Sequence, residues 1–175
     1  MFKIEVFTKE KFKNSKGELV LSDILSIGVR TILKVRYSPL YVIDGNVNYS
    51  EVRTLASELL SDKITETYVC KKCIVEDTVK NSKRDVVFFD DGEIPPPVGV
   101  CSTIKIWYKK NVTDPVSESI LKAIKDLGIV KEFKVKRVGK YYLYGKISRI
   151  TLHNITAKLL VNTLIQEYMV NGIYS

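Results

Sequence analysis

Histidine occurs once in this chain of 175 residues, at His153, and cysteine three times, at Cys70, Cys73 and Cys101. A single imidazole, with no nucleophile or paired carboxylate to place beside it, excludes histidine-based triads and multi-histidine metal sites. Cys70-Lys71-Lys72-Cys73 has the spacing of half a zinc or redox site, but no second pair completes it. An odd number of cysteines confined to one stretch fits a reducing compartment, and a cytoplasmic location is expected. The nine glycines stand singly, so neither G-x-G-x-x-G nor G-K-[ST] occurs and the usual phosphate loops are excluded. Asp90-Asp91-Gly92-Glu93 is the nearest approach to a metal cluster and reads as a solvated turn. No apolar run is long enough for a membrane span, and the lysine-rich start lacks the apolar core of a signal peptide. No self-sufficient enzyme chemistry is visible, and no cofactor is expected on this chain.

What is present occurs twice. An offset of 100 residues places Ile4 under Ile104, Leu21 under Leu121, Gly28 under Gly128, Val35 under Val135, Tyr41 under Tyr141, Leu59-Leu60 under Leu159-Leu160 and Tyr68 under Tyr168, without a gap. The chain therefore divides into repeat one (1–70), a connector (71–101) and repeat two (102–175). Units of this size bury a limited share of their surface, so each is expected to depend on packing against the other.

Each repeat is expected to read beta-alpha-beta-beta-alpha-beta, an α+β, ferredoxin-like order with helices on one face of an antiparallel sheet. In repeat one, Phe2, Ile4 and Val6 form the apolar face of a first strand. Asn14 to Gly17 reads as a turn, followed by a helical stripe of Leu19, Val20, Leu21, Ile24, Leu25 and Ile27 that stops at Gly28. Thr31 to Ser38 and Leu40 to Val47 read as two strands separated by Pro39, because proline cannot donate to a ladder. Ser50 is the expected cap of a helix built on Val52, Leu55, Ala56, Leu59 and Leu60, and a short strand around Tyr68 closes the unit. Repeat two follows suit, with Asp114-Pro115 opening its first helix, Tyr141 to Tyr144 forming its third strand and Thr151 capping its second helix. Phe7, Ile32, Trp107 and two tyrosines are expected on the sheet face away from the helices, where a partner or the other unit would cover them. The connector combines a charged run (80–85), Val86-Val87-Phe88-Phe89 as an added strand, and a stiff Ile94-Pro95-Pro96-Pro97 stretch.

Charge is distributed unevenly. Repeat one carries ten basic and nine acidic side chains, the connector five and six, and repeat two thirteen and five, so the whole excess of +8 lies on repeat two. Such a half is suited to an anionic surface. A nucleic-acid module that stacks bases on a positive sheet is the rival reading, but strand Tyr141 to Ile147 lacks the Lys/Arg-Gly-aromatic-Gly pattern. A small-molecule sensor with its ligand between two paired units is another.

Repeat two resembles PurS, the small subunit of phosphoribosylformylglycinamidine synthase, through four groups of residues. These are Asp114-Pro115; Ala123-Ile124 with Leu127-Gly128; Arg137, Gly139, Lys140 and Tyr141; and Leu159-Leu160-x-Asn162-Thr163-x-Ile165-x-Glu167-Tyr168. Repeat one is a fainter match, with Asn14-Ser15 for Asp-Pro and Ser38-Pro39-Leu40 for the Gly-Lys. Members of the family pair as homodimers, so the chain resembles a fused dimer with one degenerate half, or the paired N-terminal region of a longer synthase. The resemblance implies a cytoplasmic accessory subunit that bridges a synthetase, PurL, and a glutaminase, PurQ, and supports ammonia transfer in purine biosynthesis. ATP and Mg would then sit on the synthetase, and further self-association of the chain stays open. Lys134, Lys136, Arg137, Gly139, Lys140 and Tyr141 are the expected partner-interface residues, with the basic ones facing an acidic surface.

Overall fold

The computed structural model describes residues 1–73, 97–99, 102–128 and 132–172. Repeat one runs β1 (Phe2–Thr8), α1 (Ser15–Ser26), β2 (Ile32–Gly45), α2 (Tyr49–Leu55) and β3 (Glu66–Lys72). Repeat two runs β4 (Ser102–Tyr108), α3 (Pro115–Asp126), β5 (Phe133–Gly145), α4 (Arg149–Ile155) and β6 (Gln166–Gly172). In both repeats the second helix widens into a π-helical turn at the same place, Ala56–Leu60 and Thr156–Leu160. The expected strand at 86–89, the proline stretch before Pro97 and Cys101 lie outside the described residues.

All six strands form one antiparallel sheet in the order β3-β1-β2-β5-β4-β6. Pro39 does not divide two strands; β2 runs straight through it. The pairing of β1 with β2 spans only Ile43 to Leu40, so Pro39 lies just beyond it and the missing N–H costs little on that side. On the other side Pro39 faces Gly139, its own counterpart in repeat two. Neighbouring pairs are Tyr37 with Tyr141 and Tyr41 with Arg137. The pseudo-twofold axis that relates the repeats therefore passes through the Pro39–Gly139 pair.

Running two strands into one opens the hairpin of each ferredoxin-like unit and exchanges its halves. One core contains Phe2, Ile4 and Val6 of β1, Tyr41 and Ile43 of late β2, and Val52, Leu55, Ala56 and Leu60, closed by Ile120 and Ile124 of α3 and Val135 of early β5. The other contains Ile104 and Ile106, Tyr141 and Leu143, and Leu152 and Ile155 of repeat two, closed by Val20 and Ile24 of α1 and by Ile32 and Val35. Each helical layer thus borrows its first helix and half a strand from the other repeat. Ile32 departs from expectation by joining this core, because a register irregularity between Ile32 and Lys34 shifts its side chain to the helix face. Leu19, Leu25 and Ile27 of the predicted stripe are exposed, leaving Val20 and Ile24 as the buried apolar contacts of α1.

The ends of the β2–β5 ladder are set by two glycines. Gly45 (φ +140°) and Gly145 (φ +123°) hold a conformation that L side chains rarely adopt. A Cβ on Gly145 would lie 2.2 Å from the Thr31 carbonyl oxygen, and one on Gly45 would lie 2.7 Å from that of Glu132.

Helix starts lie earlier than the sequence predicted. Asn48 caps α2 by accepting from the Glu51 N–H while Glu51 accepts from the Asn48 N–H, so the cap is not Ser50. Ser148, not Thr151, caps α4 by accepting from the Thr151 N–H. Asn14 is likewise a cap, and Ser15 to Gly17 form the first turn of α1 instead of a separate turn. Its amide also ties the helix to β2, accepting from the Tyr37 N–H at 3.0 Å and donating to the Tyr37 carbonyl at 2.8 Å. In repeat two Asp114 cannot donate, and the Ser117 hydroxyl takes over, donating to Asp114 and accepting from the Arg137 N–H.

Gly17, the counterpart of Ser117, has no room for a side chain, since a Cβ would lie 2.4 Å from the Val35 carbonyl oxygen and 2.6 Å from Asn14 Oδ1. Gly17→Ala should therefore cost about 1–3 kcal/mol by overpacking. The pair Asn14→Asp with Gly17→Ser, which copies repeat two, should recover much of that loss in urea unfolding. A neutral single substitution would show that the close approach does not constrain the fold.

Candidate partner-docking surface

Strand pairing leaves part of β5 open. β4 is paired with Gly139 to Leu143 only, so residues 133–137 border a groove instead of a strand. The groove has a volume of about 340 Å³ and lies between early β5, the first turns of α3 and the loop after β4. Lys109, Lys110, Lys134, Lys136 and Arg137 line it, against Asp44, Asp114 and Glu118. Asp114 is committed to capping, accepting from the Val116 N–H at 3.0 Å and the Ser117 hydroxyl at 2.7 Å. Lys109 donates to the Thr163 carbonyl at 2.7 Å, which anchors the turn carrying the 82% exposed Leu164.

Repeat one has the equivalent groove with fewer bases, Lys13, Lys34 and Arg36 against Glu10 and Glu18. Lys13 pairs with Glu18 at 2.7 Å and Arg36 lies 3.9 Å from Glu10, and both acids line the groove. Part of the basic excess read from the sequence therefore lines the groove on repeat two, five bases against three acids.

The six expected interface residues do not form a single surface. Alternation along β5 puts Lys134, Lys136 and Lys140 on the face away from the helices, and Arg137, Gly139 and Tyr141 toward them. Lys134 and Lys136 reach the groove, with the Lys136 ammonium 5.8 Å from the Trp107 ring centroid. Arg137 turns inward, its guanidinium donating to the Tyr37 hydroxyl at 2.6 Å. Gly139 sits on the pseudo-twofold axis and Tyr141 is buried in the core.

Lys140 cannot meet a partner as expected. It is 2% exposed, and its ammonium donates to Glu5 Oε2 at 2.9 Å, while the Tyr142 hydroxyl donates to Oε1 at 2.6 Å. This buried network joins β5 of one repeat to β1 of the other. Lys109 and Lys110 were missed by the sequence reading, which located the basic excess in repeat two without assigning the loop after β4 to the groove.

Two aromatic rings of the same face, Trp107 and Tyr142, are withdrawn from stacking on bases. Trp107 is buried and donates to Glu167 at 3.0 Å, and Tyr142 is 1% exposed. Burial raises the Tyr37 and Tyr41 hydroxyls, and it pushes Tyr141 up to about 12, so all three stay protonated near neutrality. Cys70 is a free thiol in β3, and Cys73 is buried just after it. Among the described residues no group of three His, Cys, Asp or Glu side chains could hold a metal, and no helix is long and apolar enough to cross a membrane.

Much of the most specific sequence block has a structural role. The Asn162 side chain accepts from the Leu164 N–H, its own N–H donates to Gln166 Oε1, and Glu167 receives the indole N–H of Trp107. The family model of PurS, described as phosphoribosylformylglycinamidine (FGAM) synthase, matches residues 101–172. The match covers repeat two, less than half of the chain. No curated protein matches the chain.

Proposed function

We propose, from the match of residues 101–172 to the PurS family model, that the chain is the accessory subunit of an FGAM synthase and docks its synthetase and glutaminase subunits, PurL and PurQ. In this reading it supports assembly and ammonia transfer and leaves amidine formation, with ATP and Mg, to the synthetase. The observation that carries the docking part is the unequal pair of grooves. The fold repeats the groove, yet the copy on repeat two carries five bases against three acids where the copy on repeat one carries three against two. Complementary charge acts mainly on encounter rate and on rejection of wrong partners, so the groove is suited to steering an acidic surface into register. Because its counterpart in repeat one carries fewer bases, two of them ion-paired, the chain can present two different sides to two different subunits.

The test is Lys134→Glu with Lys136→Glu, both outside the buried network. Association with the synthetase, followed by surface plasmon resonance, should slow about tenfold at low salt, and the gap should narrow as salt screens the groove. Folding, followed by circular dichroism, should be unchanged. Equal association rates for variant and parent at low salt would remove the groove from the interface. Failure of either subunit to bind the parent chain would remove the accessory role itself.

A further inference from the structure

A second, smaller cavity of about 120 Å³ lies beside the pseudo-twofold axis, lined by Lys16, Tyr37, Asp114, Arg137 and Tyr141 among others. We propose that it is a binding site for a small oxyanion of the phosphate class, either free or as the head of a monoester. This goes beyond the accessory role and does not depend on it.

Two cations converge on one aromatic side chain. The Lys16 ammonium lies 3.9 Å from the Tyr37 ring centroid and 5.9 Å from that of Tyr141, and the two rings are 5.0 Å apart. Arg137 caps the same tyrosine from its hydroxyl end at 2.6 Å. Because Tyr37 accepts that bond, its own O–H proton is free to donate. The Arg137 Nε is buried and has no hydrogen-bond partner, a costly state for a charged donor unless a ligand supplies the acceptor. Burial, and then the neighbouring Arg137 guanidinium, pull Lys16 below its ordinary range, which an anion between the two would reverse. Asp114 is the acid in the lining, and both of its oxygens are occupied by α3.

Size limits the ligand. At roughly 30 Å³ per water the cavity equals about four waters, enough for a phosphate head but too small for a nucleoside. Repeat symmetry shows that the site is a product of divergence. The counterpart of Lys16 is Val116, while Arg137 and Tyr37 exchange places across the axis, so the opposite side lacks the lysine.

The test is calorimetric titration of the full chain with inorganic phosphate in a HEPES buffer, with ionic strength held constant by chloride. A second arm uses ribose 5-phosphate. Saturable binding is expected, weakened about tenfold by Lys16→Met, the loss of one charge-assisted contact. Lys13→Met, which removes an equal charge just before the same helix but not from this cavity, should bind as the parent does. Tighter binding of the ester than of free phosphate would identify a monoester as the natural ligand, and equal binding would identify the free anion. No saturable heat with the parent chain, or equal weakening by Lys13→Met and Lys16→Met, would overturn the site.

Discussion

Replacing Lys140 by glutamate should unfold the chain. The substitution sets a second carboxylate against Glu5, a residue with 0% of its side chain exposed, in place of the ammonium that now bonds it at 2.9 Å. Removing one partner of a buried pair costs about 3–5 kcal/mol because the other charge stays buried without compensation. Like-charge repulsion adds to this, against a total stability of about 5–15 kcal/mol for a typical domain. Lys140→Met should cost less, and Lys140→Met with Glu5→Gln should return most of the loss. The amide can still accept from Tyr142, and no charge is left buried. Repeat one supplies the precedent, since Leu40, the counterpart of Lys140, is buried at 4% exposure without any ion pair. Urea unfolding of the four proteins gives the ordering. A Lys140→Glu protein as stable as its parent would show that the pair contributes nothing.

That outcome reverses what the basic strand implies when it is read by charge alone. Lys134, Lys136, Arg137 and Lys140 are neighbours in sequence, but a period of two separates Arg137 from the others, and only tertiary structure shows which part of a face is covered. The alternation was legible; the covering of Lys140 by an acid 135 positions away was not. The repeat, the helices and the ferredoxin-like order were legible for the opposite reason. Each is carried by local periodicity and by an offset that survives divergence. Pro39 misled because its effect depends on what lies on either side of the strand. A proline beyond the end of one pairing and opposite a glycine costs little, and neither neighbour can be read from local sequence. The exchange of helices between repeats was hidden in the same way, since Val20 and Ile24 show that α1 has an apolar face but not whose sheet it covers. The oxyanion cavity was least legible of all, since Lys16 and Tyr37 come from the repeat that matches the family pattern more faintly.

Separating the repeats gives the second large effect. Cut apart, residues 1–73 and 97–175 should each fail to fold alone and should fold together as a one-to-one complex. Repeat one would expose Val20, Ile24, Ile32 and Val35, each at most 6% exposed in the intact chain. At roughly 1.5–3 kcal/mol per buried aliphatic side chain, these four alone amount to about 6–12 kcal/mol, as much as a whole domain possesses. Homodimers could in principle restore the exchanged cores, as the resemblance would lead one to expect, but the charges oppose them. Glu5 corresponds to Lys105, which is paired opposite Lys140 in the sheet. Two copies of repeat two would therefore bury Lys140 twice with no Glu5, and two copies of repeat one would bury Glu5 twice with no Lys140. The buried pair thus selects the mixed arrangement by penalising both alternatives. Sedimentation of each half alone and of the mixture tests this. Homodimers of either half as stable as the mixed complex would mean that the ion pair does not set the pairing of the repeats.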